Sequence, residues 1–260
     1  MEPPQKKLLF QIGNIVAVVV TIIINLLANA LPLNNISTGE LADLYPNLLV
    51  PAGYVFSIWF IIYVLITILA IYQAKDLFKS EKEELPFIEK IGPYFIIASL
   101  GNISWIFFWH YQIFLLPLVA IVVLFLGLLM CYLRLDIAIS DAPKNEKIFV
   151  HLPISVYFGW STVATVAQVT AILVQVGLPS FGTLAELLTI LVIAVLVLIG
   201  LLVIFTRRDF AYGAVLVWAS IGIFVKQLPL NILISITGLI AAIAVSAGLI
   251  YTAYLLSKKE

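Results

Sequence analysis

Charge is what this sequence has least of. Only 11% of its 260 residues are Asp, Glu, Lys or Arg, against about a quarter in a soluble domain, and the formal net charge is +0. There is no basic run, which excludes nucleic-acid binding, because that requires a concentrated patch of Lys and Arg to displace counterions. A lone cysteine, Cys131, excludes an internal disulfide and a thiolate metal cage. The two histidines, His110 and His151, fall at opposite ends of apolar runs and so at opposite faces of a bilayer, where they share no metal. No Ser/His/Asp set, glycine-rich phosphate loop or pair of carboxylates can be assembled. No catalytic residue, metal or cofactor is therefore expected, and an enzyme is the weaker expectation.

What the chain has in excess is apolar surface: 63% of its residues are hydrophobic and the mean hydropathy is +1.15. Runs long enough to cross about 30 Å of hydrocarbon begin and end near Leu8–Ala30, Tyr54–Gln73, Tyr94–Tyr111, Ile113–Leu133, Phe149–Gln175, Thr183–Thr206, Phe210–Lys226 and Leu230–Leu256. The expected fold is an all-α polytopic bundle of about eight transmembrane helices, with the lipid bilayer as its solvent. Cations fall in every second connection: Lys6 and Lys7; Lys75, Lys79, Lys82 and Lys90; Arg134, Lys144 and Lys147; Arg207 and Arg208; Lys258 and Lys259. The other connections hold only Lys226, so the positive-inside rule places both termini in the cytoplasm and requires an even number of crossings. A secretory signal cleaved at Ala28–Ala30 competes for the first run, but that run is longer than a signal core of about 7 to 15 residues and carries a polar Asn25 and Asn29 face suited to a bundle interior.

The connections are too short to hold a soluble domain. The cytoplasmic link KDLFKSEKEELPFIEK mixes both signs and reads as a solvated helix or turn. The outer link LPLNNISTGELADLYPNLLV has no Lys or Arg yet carries Leu33, Ile36, Leu41, Leu44, Tyr45, Leu48, Leu49 and Val50. It either closes over the bundle mouth as a lid or packs at the interface. Ser37 and Glu40 form a capping-box pattern for a short helix there. Glu186 is the only acid well inside a run, and Lys226 lies near the same outer side. The two form an ion pair, or snorkel separately, or serve a substrate. Gly238 with Ala242, and Ala244 with Gly248, are small-xxx-small pairs that pack helices within the chain or form a homodimer face.

Aromatics stand in unusual places. In PAGYVFSIWFIIY the rings of Phe56, Trp59, Phe60 and Tyr63 are spaced so that a helix would put them on one face. Interfacial belts account for Trp109, Tyr111 and Tyr132. Trp160 lies roughly 16 Å into its span at 1.5 Å per residue, and Trp105 and Trp59 are also deep. An indole N–H at that depth favours the protein interior, either as core packing or against a ligand.

Three segments in order carry a resemblance to the TspO/MBR family, the tryptophan-rich sensory and translocator proteins. PAGYVFSIWFIIY resembles its second-helix start, with Trp59 and Tyr63. GNISWIFFW resembles its third-helix pattern, through Asn102, Trp105, Phe107 and Phe108. YFGWSTVATVAQ resembles its fifth helix, through Tyr157, Trp160, Ala164 and Thr165. Departures are the single Pro51, the earlier Phe107–Phe108 pair, Val156 in place of proline and Gln168 in place of asparagine. The resemblance implies a five-helix part over residues 1–176, extended by three helices over 177–260. It also implies a pocket for a planar hydrophobic ligand, a porphyrin or other tetrapyrrole, haem, or a sterol-like molecule, that is sensed or translocated. Phe56, Trp59 and Tyr63 would form one wall, Trp105, Tyr157, Trp160 and Ala164 the other, with Asn102 among them. The alternative function is a secondary transporter of a small polar or ionic solute using Glu186 and Lys226.

Overall fold

The computed structural model describes residues 3–31, 33–81 and 83–258. Lys82 and Lys259, counted among the cations above, and Pro32 of the outer link lie outside the described residues. Every regular element among the described residues is helical. The helices are α1 (Pro3–Ala30), α2 (Thr38–Asp43), α3 (Ile58–Gln73), α4 (Pro86–Ile91), α5 (Tyr94–His110), α6 (Leu116–Arg134), α7 (Lys144–Glu146), α8 (Leu152–Gln175), α9 (Thr183–Arg207), α10 (Phe210–Gln227) and α11 (Ile232–Ser257). Each of the eight apolar runs is a helix. Seven are long and apolar enough to cross a membrane, and the remaining one, α5, has 17 residues, about 26 Å of helix. The protein is a multi-span helical membrane protein.

Helix ends follow local chemistry. Asp209 caps α10 by accepting the Tyr212 N–H at 3.0 Å, and Asn231 caps α11 by accepting the Ile234 N–H at 3.1 Å. Arg208 takes a left-handed φ of 63°, which lets Arg208 and Asp209 alone turn the chain from α9 into α10. A π-helical turn over Lys147–His151 leads into α8 just ahead of Pro153, a residue with no N–H to give to the ladder.

The chain divides into two compact units that interleave in sequence: residues 1–38 with 59–158, and residues 39–58 with 159–260. This is a division by packing, and its boundaries differ from the 1–176 and 177–260 division expected from the sequence.

In the first unit α5 lies against α6 and α1, and α4 touches α1 and α6. The α5–α6 approach is backbone to backbone: a Cβ placed on Gly101 would lie 2.5 Å from the Leu124 nitrogen, and one on Gly127 2.8 Å from the Ala98 nitrogen. In the second unit α11 packs on α10 and α9. A Cβ on Gly238 would lie 2.9 Å from the Phe224 nitrogen, and one on Gly248 2.6 Å from a Leu201 methyl. Two of the small residues singled out in α11 are thus engaged inside the chain.

The outer link is not a dangling loop. A short helix does begin at Thr38, beside the Ser37 and Glu40 pattern. Leu48 and Leu49 are buried in an apolar core with Ala185, Ile193, Ile223, Ile234 and Ala241. The Ala52 N–H donates to the Gly222 carbonyl at 3.0 Å, Trp218 Nε1 to the Val55 carbonyl at 3.1 Å, and Gln227 Nε2 to the Leu48 carbonyl at 3.1 Å. Gly222 is required at that contact, since a Cβ there would collide with Val55 and with the Pro51 ring.

Candidate functional site

Building the site from α3 changes the expected aromatic face. The helix starts at Ile58, and Phe56 belongs to the 3₁₀ turn Gly53–Ser57 that precedes it. A 3₁₀ turn advances more per residue than an α-helix, so helical spacing counted across Ser57 does not hold the four rings together. Phe60 is 72% exposed, in the position of a lipid-facing side chain. The fully buried face of α3 is instead aliphatic and amide: Ile58, Ile62, Ile66, Leu69 and Gln73. Trp59 and Tyr63 lie on its flank, half-buried.

Within the first unit these two rings stack, with centroids 5.8 Å apart and planes 25° off parallel, and the Tyr157 ring meets Trp59 edge-on at 6.1 Å. Tyr157 is itself buried at 1% exposure. Asn102 from α5 lies beside its hydroxyl. The Asn102 Oδ1 accepts a hydrogen bond from Asn25 Nδ2 at 2.7 Å, and the Asn102 side chain hydrogen-bonds the buried Tyr157 hydroxyl. Trp105, half-buried, stacks on Trp109 at 5.9 Å and 11°. Five of the eight expected site residues, Trp59, Tyr63, Asn102, Trp105 and Tyr157, therefore belong to one unit, and four of them meet or adjoin one another.

Phe56, Trp160 and Ala164 belong to the second unit. Phe56 meets Trp160 edge-on at 6.1 Å. Trp160 is buried and Ala164 half-buried on the same helix. The boundary between units passes through α8 between Phe158 and Gly159.

The second unit holds a small apolar cavity of about 20 Å³, lined by Leu49, Pro51, Val163, Ala167, Leu216 and Ala219 among others.

The polar residues sort differently from expectation. Glu186 and Lys226 do not pair. Glu186 Oε1 accepts from Asn231 Nδ2 at 2.7 Å, and the Lys226 ammonium is 4.0 Å from the Asp43 carboxylate. The N-cap asparagine of α11 and the acid closing α2 each supply a nearer partner.

His110 is fully buried, with Nδ1 2.8 Å from the Ile106 carbonyl and Nε2 3.3 Å from the Thr38 hydroxyl. His151 Nε2 stands 3.5 Å from Glu146. Each histidine thus has separate local partners, and no group of three or more His, Cys, Asp or Glu among the described residues could hold a metal.

A feature the motif reading passed over is the interior face of α1. Its buried residues are Gln11, Asn14, Ala17, Val18, Thr21, Asn25 and Ala28, while Leu9, Ile12, Val16, Val19, Ile23 and Leu26 point outward. This helix is polar inside and apolar outside, the reverse of a soluble one. The signal was present in the sequence as polar residues at 11, 14, 21 and 25, spaced three, seven and four apart on one stripe.

At the end of the stripe where α1 begins, Asp76 is fully buried and accepts from Lys7 Nζ and, at 2.8 Å, from Gln11 Nε2. Lys7 also donates to the Glu83 carbonyl at 2.7 Å. Burial alone would raise the Asp76 pKa, but the hydrogen bonds from Lys7 and Gln11, the Lys7 charge and the Glu83 N–H outweigh it and hold it below 3.8.

Fold and site together define a polytopic helical membrane protein whose interior combines stacked aromatic rings with buried hydrogen-bonding groups. Its sequence matches the family described as TSPO-like protein over residues 11–251. The chain belongs to that family, and the match continues through the last three helices, beyond residue 176 where the motifs stop. More helices are present than the five of the TspO arrangement. No curated protein and no solved structure matches the chain.

Proposed function

We propose that this protein binds a planar hydrophobic molecule of the porphyrin or sterol-like class, sensing or translocating it. The observation that carries this reading is the Trp59–Tyr63–Tyr157 set: two stacked, half-buried rings with surface left to cover, next to a buried hydroxyl and amide. Flat rings offer large contact area and stack on a flat ligand, and the few polar groups beside them fix its orientation. Trp59, Tyr63 and Tyr157 supply the stacking surface, Asn102 and the Tyr157 hydroxyl supply the polar contact, and Trp105 extends the aromatic lining along α5. Phe56, Trp160 and Ala164 join the proposal through the family motifs that contain them.

In this reading residues 1–176 carry the TspO-like part and 177–260 extend it, with both termini cytoplasmic. The cation pattern supports that orientation. Binding without catalysis is the expected mode, and a porphyrin or haem would be ligand, not cofactor. Transport of a small ion through Glu186 and Lys226 has lost its pair and is not carried further.

The test is a thermal-shift screen of the purified protein against protoporphyrin, haem, a sterol and a carotenoid, because a ligand bound by the folded state alone stabilises it by mass action. A concentration-dependent rise for one planar compound, diminished in Trp59→Leu, supports the reading. No shift with any of them counts against it.

A further inference from the structure

Three candidates stand out beyond the aromatic site: the apolar cavity of the second unit, the Thr38–His110 contact, and the polar stripe of α1. The stripe carries most. From Gln11 to Asn25 it rises about 21 Å, two thirds of a bilayer core, and every polar residue on it is at most 3% exposed.

Its chemistry is incomplete at three places, all in the first unit. Asn14 Oδ1, Gln73 Nε2 and Thr21 Oγ1 are buried with no hydrogen-bond partner among the described residues. Turning the amides over does not remove the problem. Asn14 and Gln73 share one long contact of 3.4 Å, and whichever way round the two amides are set, each keeps a group unpaired. A buried orphan of this kind lowers the folding equilibrium by a factor of roughly 10 to 100. Three of them on or beside the stripe point to a polar occupant that they share.

We infer that α1 lines an aqueous half-channel: a file of ordered water reaching from the Lys7–Asp76 end to Thr21. The mouth is where water is available, since the Lys7 side chain is 17% exposed and Glu83, at 38%, lies against Lys75 and Lys79. From there Gln11, Asn14 and Gln73 offer successive donors and acceptors, of the kind that two to four hydrogen bonds per buried water demand. Ala17 and Val18 wall the stretch between Asn14 and Thr21, about 10 Å long, and form its driest point. Beyond it Thr21 ends the file, about 15 Å along α1 from Gln11, and the hydrogen-bonded Asn25, Asn102 and Tyr157 close it off. Polar groups facing a water-filled cavity are the usual resolution of such residues within a membrane protein. The inference does not depend on the planar-ligand reading.

Cysteine substitution tests it, because the single native cysteine, Cys131, is fully buried and gives a low background. A thiol reacts as thiolate, which forms in water and not in hydrocarbon. Silver ion, a probe little larger than water, is added to the protein in lipid nanodiscs and its adduct followed by intact mass. Thr21→Cys, nearly isosteric, is compared with Ile23→Cys, which is 48% exposed on the lipid side. The half-channel predicts that Thr21→Cys reacts at least tenfold faster than Ile23→Cys while the unsubstituted chain stays unmodified. Equal rates at the two positions overturn it.

A second measurement covers the folding question. Thr21→Val removes the hydroxyl at constant shape, so it raises the melting temperature if that oxygen is dry and unpaired, and lowers it if the oxygen holds water. A rise overturns the inference. Protoporphyrin titration of the same variants separates the two readings, since a dry stripe with intact porphyrin binding defeats only this one.

Discussion

The two units solve the same problem, filling the inside of a membrane bundle, with different proportions of the same materials. The first fills it with amides, a buried carboxylate and stacked rings: Gln11, Asn14, Asn25, Gln73, Asp76 and Asn102 are all buried there, beside Trp59 and Tyr157. The second buries Gln168, Asp209 and Gln227 as well, but around its apolar cavity it relies on aliphatic and small residues, Ile193, Ile223, Ile234, Ala241 and Val245, with the strap from Leu48 to Val55 packed into it. Lipid tails are as apolar as leucine, so burying leucine drives no association in a membrane. Close packing and hydrogen bonds must hold the helices instead. The second unit uses mainly the former. The first uses both, and buried polar groups beyond what packing needs are where function is expected.

The largest effect should come from the α5–α6 contact. Gly101→Leu sets a side chain against the backbone of Leu124 and Ala120, atoms that cannot move aside, and no folded protein is expected on gel filtration. In the second unit Gly200→Ala meets only the tip of Leu216, a side chain free to change rotamer, and should cost about 1 kcal/mol in denaturant unfolding. Equal losses would erase that distinction between backbone and side-chain packing.

Next is the buried ion pair. Asp76→Leu leaves the half-buried Lys7 and the buried Gln11 amide without their carboxylate and should cost about 3 kcal/mol, whereas Asp76→Leu with Lys7→Met should recover part of that. Because the Asp76 pKa is held below 3.8 in the folded state, its contribution is in place above about pH 4 and fades as pH falls through the lowered value. Melting curves from pH 7 down to pH 3 should show that loss in the native protein and not in the double variant.

A smaller effect of opposite sign belongs to the second unit. Ala219→Val adds two methyl groups at the wall of its cavity and should raise stability by about 0.5–1 kcal/mol. A polar filler such as Ala219→Ser should not, because the surroundings offer almost nothing to bond it. The smallest change is expected at Glu186→Gln. Its Oε1 still accepts from Asn231, so stability should move by less than about 0.5 kcal/mol, and protoporphyrin binding should not move at all.

The bundle was readable because length and hydropathy dictate spans with little interference from tertiary context. Leu8–Ala30 and Phe210–Lys226 match helices Pro3–Ala30 and Phe210–Gln227 to within a few residues. The site was harder. Phe56 was placed with Trp59 on one face because spacing alone does not show a 3₁₀ turn, set here by the strap's hydrogen bond to Gly222. Glu186 was offered to Lys226 because both lie near one interface, yet Asn231, as the cap of α11, is nearer, and a capping side chain is visible only once the helix start is fixed. The polar stripe of α1 was legible at Asn25 and Asn29, while Gln11, Asn14 and Thr21 stand singly among apolar residues and join the stripe only at helical spacing.

The central claim is that the Trp59–Tyr63–Tyr157 rings receive a planar ligand, and quenching of tryptophan fluorescence on titration with protoporphyrin tests it most directly when done on native protein and on Tyr63→Leu. Saturable quenching, with affinity reduced tenfold or more in Tyr63→Leu, is what this account predicts. Saturable quenching of equal affinity in both proteins, or none in either, would contradict it.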